Sequence, residues 1–510
     1  MKIRQKSVCD NCRRRKLGCD GMRPECTQCK WSQQACPGYP DPWTFMPPQV
    51  SGSRDAQYNL SSADLAAKPA SIIDTGLSNA NDIQPDHREH PNIVTKPPCE
   101  DSSGNDFDRY VARIIECYMP VEGQGRADSN PVDSQPRICG SWVEVMPKMK
   151  NDRHPENTME LAVRAFALSL DQTGQDTSTA YRNIFHAYEC ALGSLRRHLA
   201  RPACQFQADI AIAIMCLGLA ELMIPETPTG LTPHIRGVGS LICAEGPQAF
   251  QRDIFHKLYV GYVPLLIIDC FLSRKPMFIA ERNWQHEPFT LNMPSPIQKL
   301  LCKASAIPTL LSNVDQFKAE SQDSSLAEEN VLNARALKFS FVSALTNLNE
   351  MENELTSQGH RPCQPPPLNS KSVESKHLDR VLWFPGITSA NALVYLWTFK
   401  IICMTELREL AEFSAPRHIE DEICSRDLSP ASLEHQINEL AVLICQSMEY
   451  CIQDEMALYG PASAIYPLRI AHKILKSATN YGAHVTYIEW IVERLVSKGL
   501  RATPYIVFCS

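Results

Sequence analysis

The sequence predicts three consecutive parts: a small cysteine-organised head over residues 1–40, a disordered linker over 41–105 and a large all-α body over 106–510. Three observations carry this expectation. Six cysteines repeat at identical spacing between Cys9 and Cys36, ten prolines crowd the stretch from Pro37 to Pro98, and apolar residues thereafter recur at helical intervals. At 510 residues and 44% hydrophobic content the chain exceeds one small domain and can bury a sizeable core.

The head is read from its cysteines. Cys9, Cys12 and Cys19 form the unit C-x2-C-x6-C, and Cys26, Cys29 and Cys36 repeat it 17 residues later. Two zinc ions in separate four-cysteine sites need eight thiolates, and this tract supplies six. Two sulfurs shared between both metals close the count. Each C-x2-C pair brings two sulfurs onto one metal, and the folding of so small an element depends on that metal. Beyond cysteine, glycine and one proline, only Leu17, Met22, Trp31 and Ala35 are apolar between Cys9 and Cys36, so metal takes the place of a core. A disulfide knot or a redox C-x-x-C is the competing reading of such cysteines. A knot does not suit a long chain whose opening, MKIRQKSVCD, lacks the apolar stretch of a secretory signal. An iron–sulfur cluster uses four cysteines and leaves the repeat unexplained. The other fifteen cysteines are scattered singly, as buried thiols are.

Charge is distributed unevenly. The whole chain carries 50 basic and 57 acidic side chains, a net charge of -7 that by itself argues against a nucleic-acid partner. Residues 1–36 hold nine Lys or Arg against three acids, a surplus of six that leaves -13 elsewhere. Two zinc ions and six thiolates lower that surplus to about +4. Four of the cations are consecutive: Arg13, Arg14, Arg15 and Lys16 lie between Cys12 and Cys19 on an expected short helix starting near Cys9 or Asp10. Such a helix can enter the major groove of double-stranded DNA. A basic tetrapeptide also serves as a nuclear import signal or a solvated charge run, and import does not exclude DNA contact. Flanking metal ligands order these cations before any partner arrives, which favours DNA.

The segment Cys9-x2-Cys12-Arg-Arg-Arg-Lys-Leu-Gly-Cys19-Asp20-Gly21-x-Arg23-Pro24-x-Cys26-x2-Cys29-x6-Cys36 resembles the fungal Zn2Cys6 binuclear cluster transcription factors over about the first forty residues. The resemblance implies two zinc ions per chain, with Cys9 and Cys26 as the bridging thiolates. It implies that Lys16 contacts bases of CGG-type triplets, with Arg15 beside it, that Arg13 contacts phosphate, and that Pro24 belongs to the loop joining the two halves. Gly18 departs from the pattern, standing where the family commonly has another cation. Nuclear localisation follows from the same resemblance.

The linker expectation rests on ten prolines among Ser, Asn and Asp with no apolar period. No a/d repeat of several heptads follows the cluster, so DNA binding is expected as a monomer or as a homodimer whose contacts come from the body.

Helical spacing dominates from about Asp106. Over 181–199, Ile184, Tyr188, Ala191, Leu192, Leu195 and Leu199 fall on one face while Arg196 and Arg197 point elsewhere, and Pro202 closes the helix. Similar patterns predict helices at 159–170, 206–224, 254–273, 330–355, 387–412, 431–458 and 465–479, with a polar, Pro-rich loop at 356–377. The apolar run from Ile210 to Ile224 is short for a membrane span and carries Glu221, so a buried helix is expected and no membrane partner. The body also resembles the middle-homology, or fungal-specific transcription factor, domain through His234-x-Arg236-Gly237-x-Gly239, Gly246-Pro247, Arg274-Lys275-Pro276-x-Phe278, Ile444 to Tyr450, Gly460-Pro461 and Tyr466-Pro467-Leu468-Arg469. No G-x-S-x-G, P-loop, G-x-G-x-x-G or H-E-x-x-H occurs, and an enzyme is not expected. His234 and the glycines at 237 and 239 read as structural residues rather than a catalytic or phosphate site. The expected function is sequence-specific transcription regulation, with transcription machinery or co-regulators as partners of the body. The alternative is a helical effector-binding or scaffold protein carrying a structural zinc module.

Overall fold

In the computed structural model the described residues are 11–12, 15, 26–32, 34 and 36 of the head, then 104–120, 139–149, 157–171, 178–200, 206–224, 230–321, 327–363, 378, 380–411 and 428–508. The linker expected over 41–105 lies outside them except for its last two residues, which already belong to a helix. Among the described residues the secondary structure is helical, with no strand and one isolated bridge between Cys363 and Trp383.

The head contributes α1 (Thr27–Trp31), and the body opens with α2 (Gly104–Tyr118), followed by a 3-10 segment at Cys139–Lys148. Next come α3 (Thr158–Leu170), α4 (Ser178–Leu199), α5 (Ala208–Glu221), α6 (Leu231–Glu245) and α7 (Asp253–Ser273). Then follow α8 (Arg282–His286), α9 (Pro296–Ala304) and α10 (Ile307–Glu320). The chain ends with α11 (Ala327–Ser357), α12 (Ile387–Ala411), α13 (Pro430–Cys451), α14 (Tyr459–Ser477), α15 (Gly482–Ser497) and α16 (Thr503–Phe508).

Local chemistry sets many of these boundaries. Asn157 caps α3 by accepting the Met159 N–H at 3.0 Å. Ser295 and Gln298 form a capping box at the start of α9, with Pro296 in the first turn where no N–H is needed. Ser429 caps α13 by accepting the Ser432 N–H, again with proline, Pro430, in the first turn. α6 ends at Gly246, whose φ of 89° favours a residue without Cβ.

The described body has one continuous apolar core. α3 packs on both α4 and α5, and α12 packs on α11 and α13. α5 and α12 lack an amphipathic stripe because both are wrapped by neighbours: Ile210–Ala220 and Ser389–Phe399 are buried without interruption. α7 and α12 are long and apolar enough to cross a membrane by composition, yet 61% and 83% of their apolar windows are buried against the rest of the chain, as in core helices. Phe271 of α7 stacks on Phe399 of α12 at 4.7 Å between ring centroids. Gly261 lets Trp142 lie directly on α7, since a Cβ there would sit 2.5 Å from the indole Cδ1.

The helix expected over 181–199 is α4, with Ile184, Ala191 and Leu195 buried and Arg196 and Arg197 exposed. One expected helix runs too long: the pattern over 431–458 stops at Cys451, and a short 3-10 turn with Ala457 at φ 47° precedes α14. Where the chain turns back, Gly460 lies so close to the Cys451 carbonyl that a Cβ would sit 2.3 Å from it, so the return path requires glycine there. α14 accordingly starts six residues before the expected 465.

Most quoted body motifs serve as joints between helices. Arg236 of α6 bonds Asp269 of α7 at 3.1 Å. Arg274 caps α7 in the left-handed region (φ 53°, ψ 41°) and reaches Asp315 at 2.9 Å and Glu406 at 2.6 Å. Leu382 donates its N–H to the Gln446 carbonyl at 2.8 Å, and Glu449 pairs with Arg494 at 2.9 Å. Gly239 lies against the Tyr262 hydroxyl, which itself donates to the Ile235 carbonyl at 2.8 Å, so this glycine is a packing residue as expected. Cys216, Cys270, Cys403, Cys445 and Cys451 are buried thiols among these helices. Burial pushes the thiols of Cys270, Cys445 and Cys451 up to about 12, which leaves them uncharged and unreactive.

Candidate metal centre

Three of the six predicted ligands are brought together by the described part of the head. The Cys12, Cys26 and Cys29 sulfurs all lie within 4.8 Å of one another, each nearly inaccessible to solvent, and Cys36 packs against them. Cys26 stands just before α1 and its sulfur accepts the Cys29 N–H at 3.4 Å, so one side chain both caps the helix and fills the cluster. Cys29 follows one helical turn later, which is the spacing that turns both sulfurs to one point.

The donor set fits zinc. Cys12 and Cys26 sulfurs are 3.6 Å apart. Two thiolates on one tetrahedral zinc, each at about 2.3 Å, stand roughly 3.8 Å apart, whereas a disulfide requires about 2.05 Å. Cys12 belongs to the first repeat and Cys26 to the second, so the two repeats meet at this pair. Cys9 and Cys19 lie outside the described residues. Bound there, zinc supplies structural cross-links through thiolates rather than a reactive centre, because cysteine sulfurs fill its coordination sphere.

Of the predicted DNA-contacting cations, Arg13, Arg14 and Lys16 lie outside the described residues. Arg15 is described and exposed. Its N–H donates to the Asn11 carbonyl at 3.1 Å, closing a helical turn across Cys12. Its guanidinium donates to Ser32 Oγ at 3.2 Å and to Gln34 Oε1 at 3.1 Å. Arg15 therefore ties the basic segment to the second repeat.

Sequence reasoning missed Asn11. It is buried beside the sulfurs, and its side-chain amide donates to Cys29 Sγ at 3.6 Å and to Gln34 Oε1 at 3.2 Å. Its place between Cys9 and Cys12 was the available signal, since a residue inside a C-x2-C unit faces the metal or its immediate surroundings. An N–H donor to a ligating sulfur orients that ligand and disperses thiolate charge. Asn11→Ala is expected to weaken zinc retention about 10–100-fold, measured by competition with a chromogenic chelator. Unchanged retention would show that the amide does no more than fill space.

Residues 7–44 match the family model described as Fungal Zn(2)-Cys(6) binuclear cluster domain. Neither the search of curated proteins nor that of solved structures found a match to the chain. The matched segment covers all six cysteines and the four consecutive cations. The N-terminal part of this chain thus matches a fungal Zn2Cys6 cluster domain that binds two zinc ions, and it supports, at the general level, a DNA-binding transcription factor.

Proposed function

We propose that the protein is a nuclear, sequence-specific transcription regulator that reads GC-rich, CGG-type triplets through residues 13–16. The observation that carries this reading is the placement of Arg13, Arg14, Arg15 and Lys16 between two ligands of a metal cluster. Zinc bound by Cys9, Cys12, Cys19, Cys26, Cys29 and Cys36 replaces an apolar core, with Cys9 and Cys26 shared between the metals. Lys16 and neighbouring main-chain carbonyls meet base edges, while Arg13 and Arg14 neutralise phosphates. Arg15, held by Ser32 and Gln34, sets the direction of the basic helix.

In this reading residues 1–40 are the DNA-binding domain, 41–105 a linker and 106–510 a fungal transcription factor regulatory domain that meets co-regulators or transcription machinery. Any dimer contact comes from that body, because no heptad repeat follows the cluster.

The two cations separate by what they lose. Lys16→Ala is expected to cost roughly 1–3 kcal/mol at the preferred triplet and to relax discrimination there. Arg13→Ala is expected to weaken all duplexes alike and to lower the salt slope by about one. Binding selection with random duplex DNA at two salt concentrations reads both. Full sequence preference in the Lys16 variant would overturn its base-reading role, and no affinity for any duplex at low salt would turn the assignment toward a scaffold.

A further inference from the structure

Side chains of α4, α6, α7 and α14 line a cavity of about 1090 Å³ that neither the metal centre nor DNA contact uses. Pockets for drug-sized ligands typically measure about 300–1,000 Å³ and are predominantly apolar. Leu272 and Tyr505, both on the lining, remain 44% and 49% exposed, which marks a mouth open to solvent.

The composition of α7 accounts for the apolar wall. This helix is apolar enough to cross a membrane, so any side that its neighbours leave uncovered presents hydrocarbon. From Leu258 onward, every α7 residue that is not fully buried, namely Pro264, Leu265, Ile268, Leu272 and Ser273, lies on the cavity lining. Leu265, Ile268 and Leu272 follow at intervals of three and four, which makes them one stripe along the helix. Leu192 of α4 and Leu231 of α6 add further partly buried apolar side chains to the same space. Apolar surface gains about 25 cal/mol for each Å² withdrawn from water, and a concave patch of it gathered from several helices is the usual form of a ligand site.

Polar groups on the lining are bonded within the protein. Tyr188 donates its hydroxyl proton to Glu221, Arg236 donates to Asp269 at 3.1 Å, and Asn391 donates to the Tyr459 hydroxyl at 3.2 Å. Tyr395 donates to the Ser463 carbonyl at 3.1 Å. Burial pushes the His234 imidazole down to about 4, so it is uncharged near pH 7. An ionic ligand would surrender its hydration to walls whose polar groups are bonded to one another, whereas a neutral ligand surrenders little. We propose that this cavity is a binding site for a neutral, largely apolar small molecule seated against the Leu265, Ile268 and Leu272 stripe. The inference does not depend on the DNA-binding reading.

The test uses the intact, zinc-loaded protein. Nile red, a neutral apolar dye, reports occupancy by fluorescence, and three compounds with one ring system compete for it: neutral methyl 2-naphthoate, anionic 2-naphthoate and cationic 2-naphthylmethylamine. The dye is expected to bind saturably at one per chain, and the ester to displace it at a concentration at least about tenfold lower than either ion. Leu272→Asp, at an exposed position of the stripe, is expected to weaken the dye by about tenfold. Phe339→Ser, on α11 and off the lining, removes a side chain that is 73% exposed and is expected to leave dye binding unchanged. Absence of saturable dye binding, competition by either ion as effective as by the ester, undiminished binding in the Leu272 variant, or loss of binding in the Phe339 variant would each overturn the proposal. If a variant loses its helical circular dichroism, the order of the three competitors on the unaltered protein decides alone.

Discussion

Stripping both zinc ions from the intact protein is expected to abolish specific DNA binding, by more than about 100-fold, while the helical circular dichroism of the body persists. Among the described residues the head has no other source of stability on this scale. Its described core consists of Cys12, Cys26 and Cys29 with Cys36 against them. Hydrogen bonds from Asn11 and Arg15 each contribute on the order of 1 kcal/mol, whereas structural zinc supplies about 10–16 kcal/mol of apparent binding energy. Cys26→Ser should reproduce the loss, because the same sulfur caps α1 and touches Cys12. A chelator titration followed in parallel by metal analysis and duplex binding checks the expectation. DNA affinity that outlasts both metals would separate recognition from the cluster.

The second large effect concerns stability. Arg274→Ala is expected to destabilise the body by about 3–5 kcal/mol, because it leaves Glu406 buried without its closest cation. Glu406 is 7% exposed and receives Arg274 at 2.6 Å, with Lys318 more distant at 3.9 Å. Arg274 also reaches Asp315, so one guanidinium joins the ends of α7, α10 and α12. Denaturant unfolding of the intact protein measures the loss, and adding Glu406→Ala should recover part of it by removing the stranded charge. A change below about 1 kcal/mol would mean that water reaches Glu406 and satisfies it.

The metal centre was legible because its information is local: ligand type, spacing and count all sit within 28 residues, and the stoichiometry needs no tertiary context. What supports the ligands was less legible. Asn11 and Gln34 are far apart in sequence, and their bond exists only once the two repeats meet. In the body, long periodic segments such as α4 and α11 were readable from their apolar faces. α9 and α10 were not singled out, since proline near each start and a length of 9 or 14 residues mask the period, although Ser295 with Gln298 was a usable start signal. The contact of Tyr188 with Glu221 and His234 could not be foreseen, because these residues come from three helices whose crossing no local pattern encodes.

The uninterrupted burial of α5 and α12 has a practical consequence for anyone dissecting the protein. A deletion ending between them strips neighbours from a cylinder that is oily around its whole circumference, and such a fragment has no polar side to turn toward solvent. Serial truncations of the body should therefore yield aggregates rather than progressively smaller working pieces, and loss of activity in them would report collapse of the whole rather than the location of a regulatory segment. Point substitutions at exposed positions are the sound way to map what this region touches.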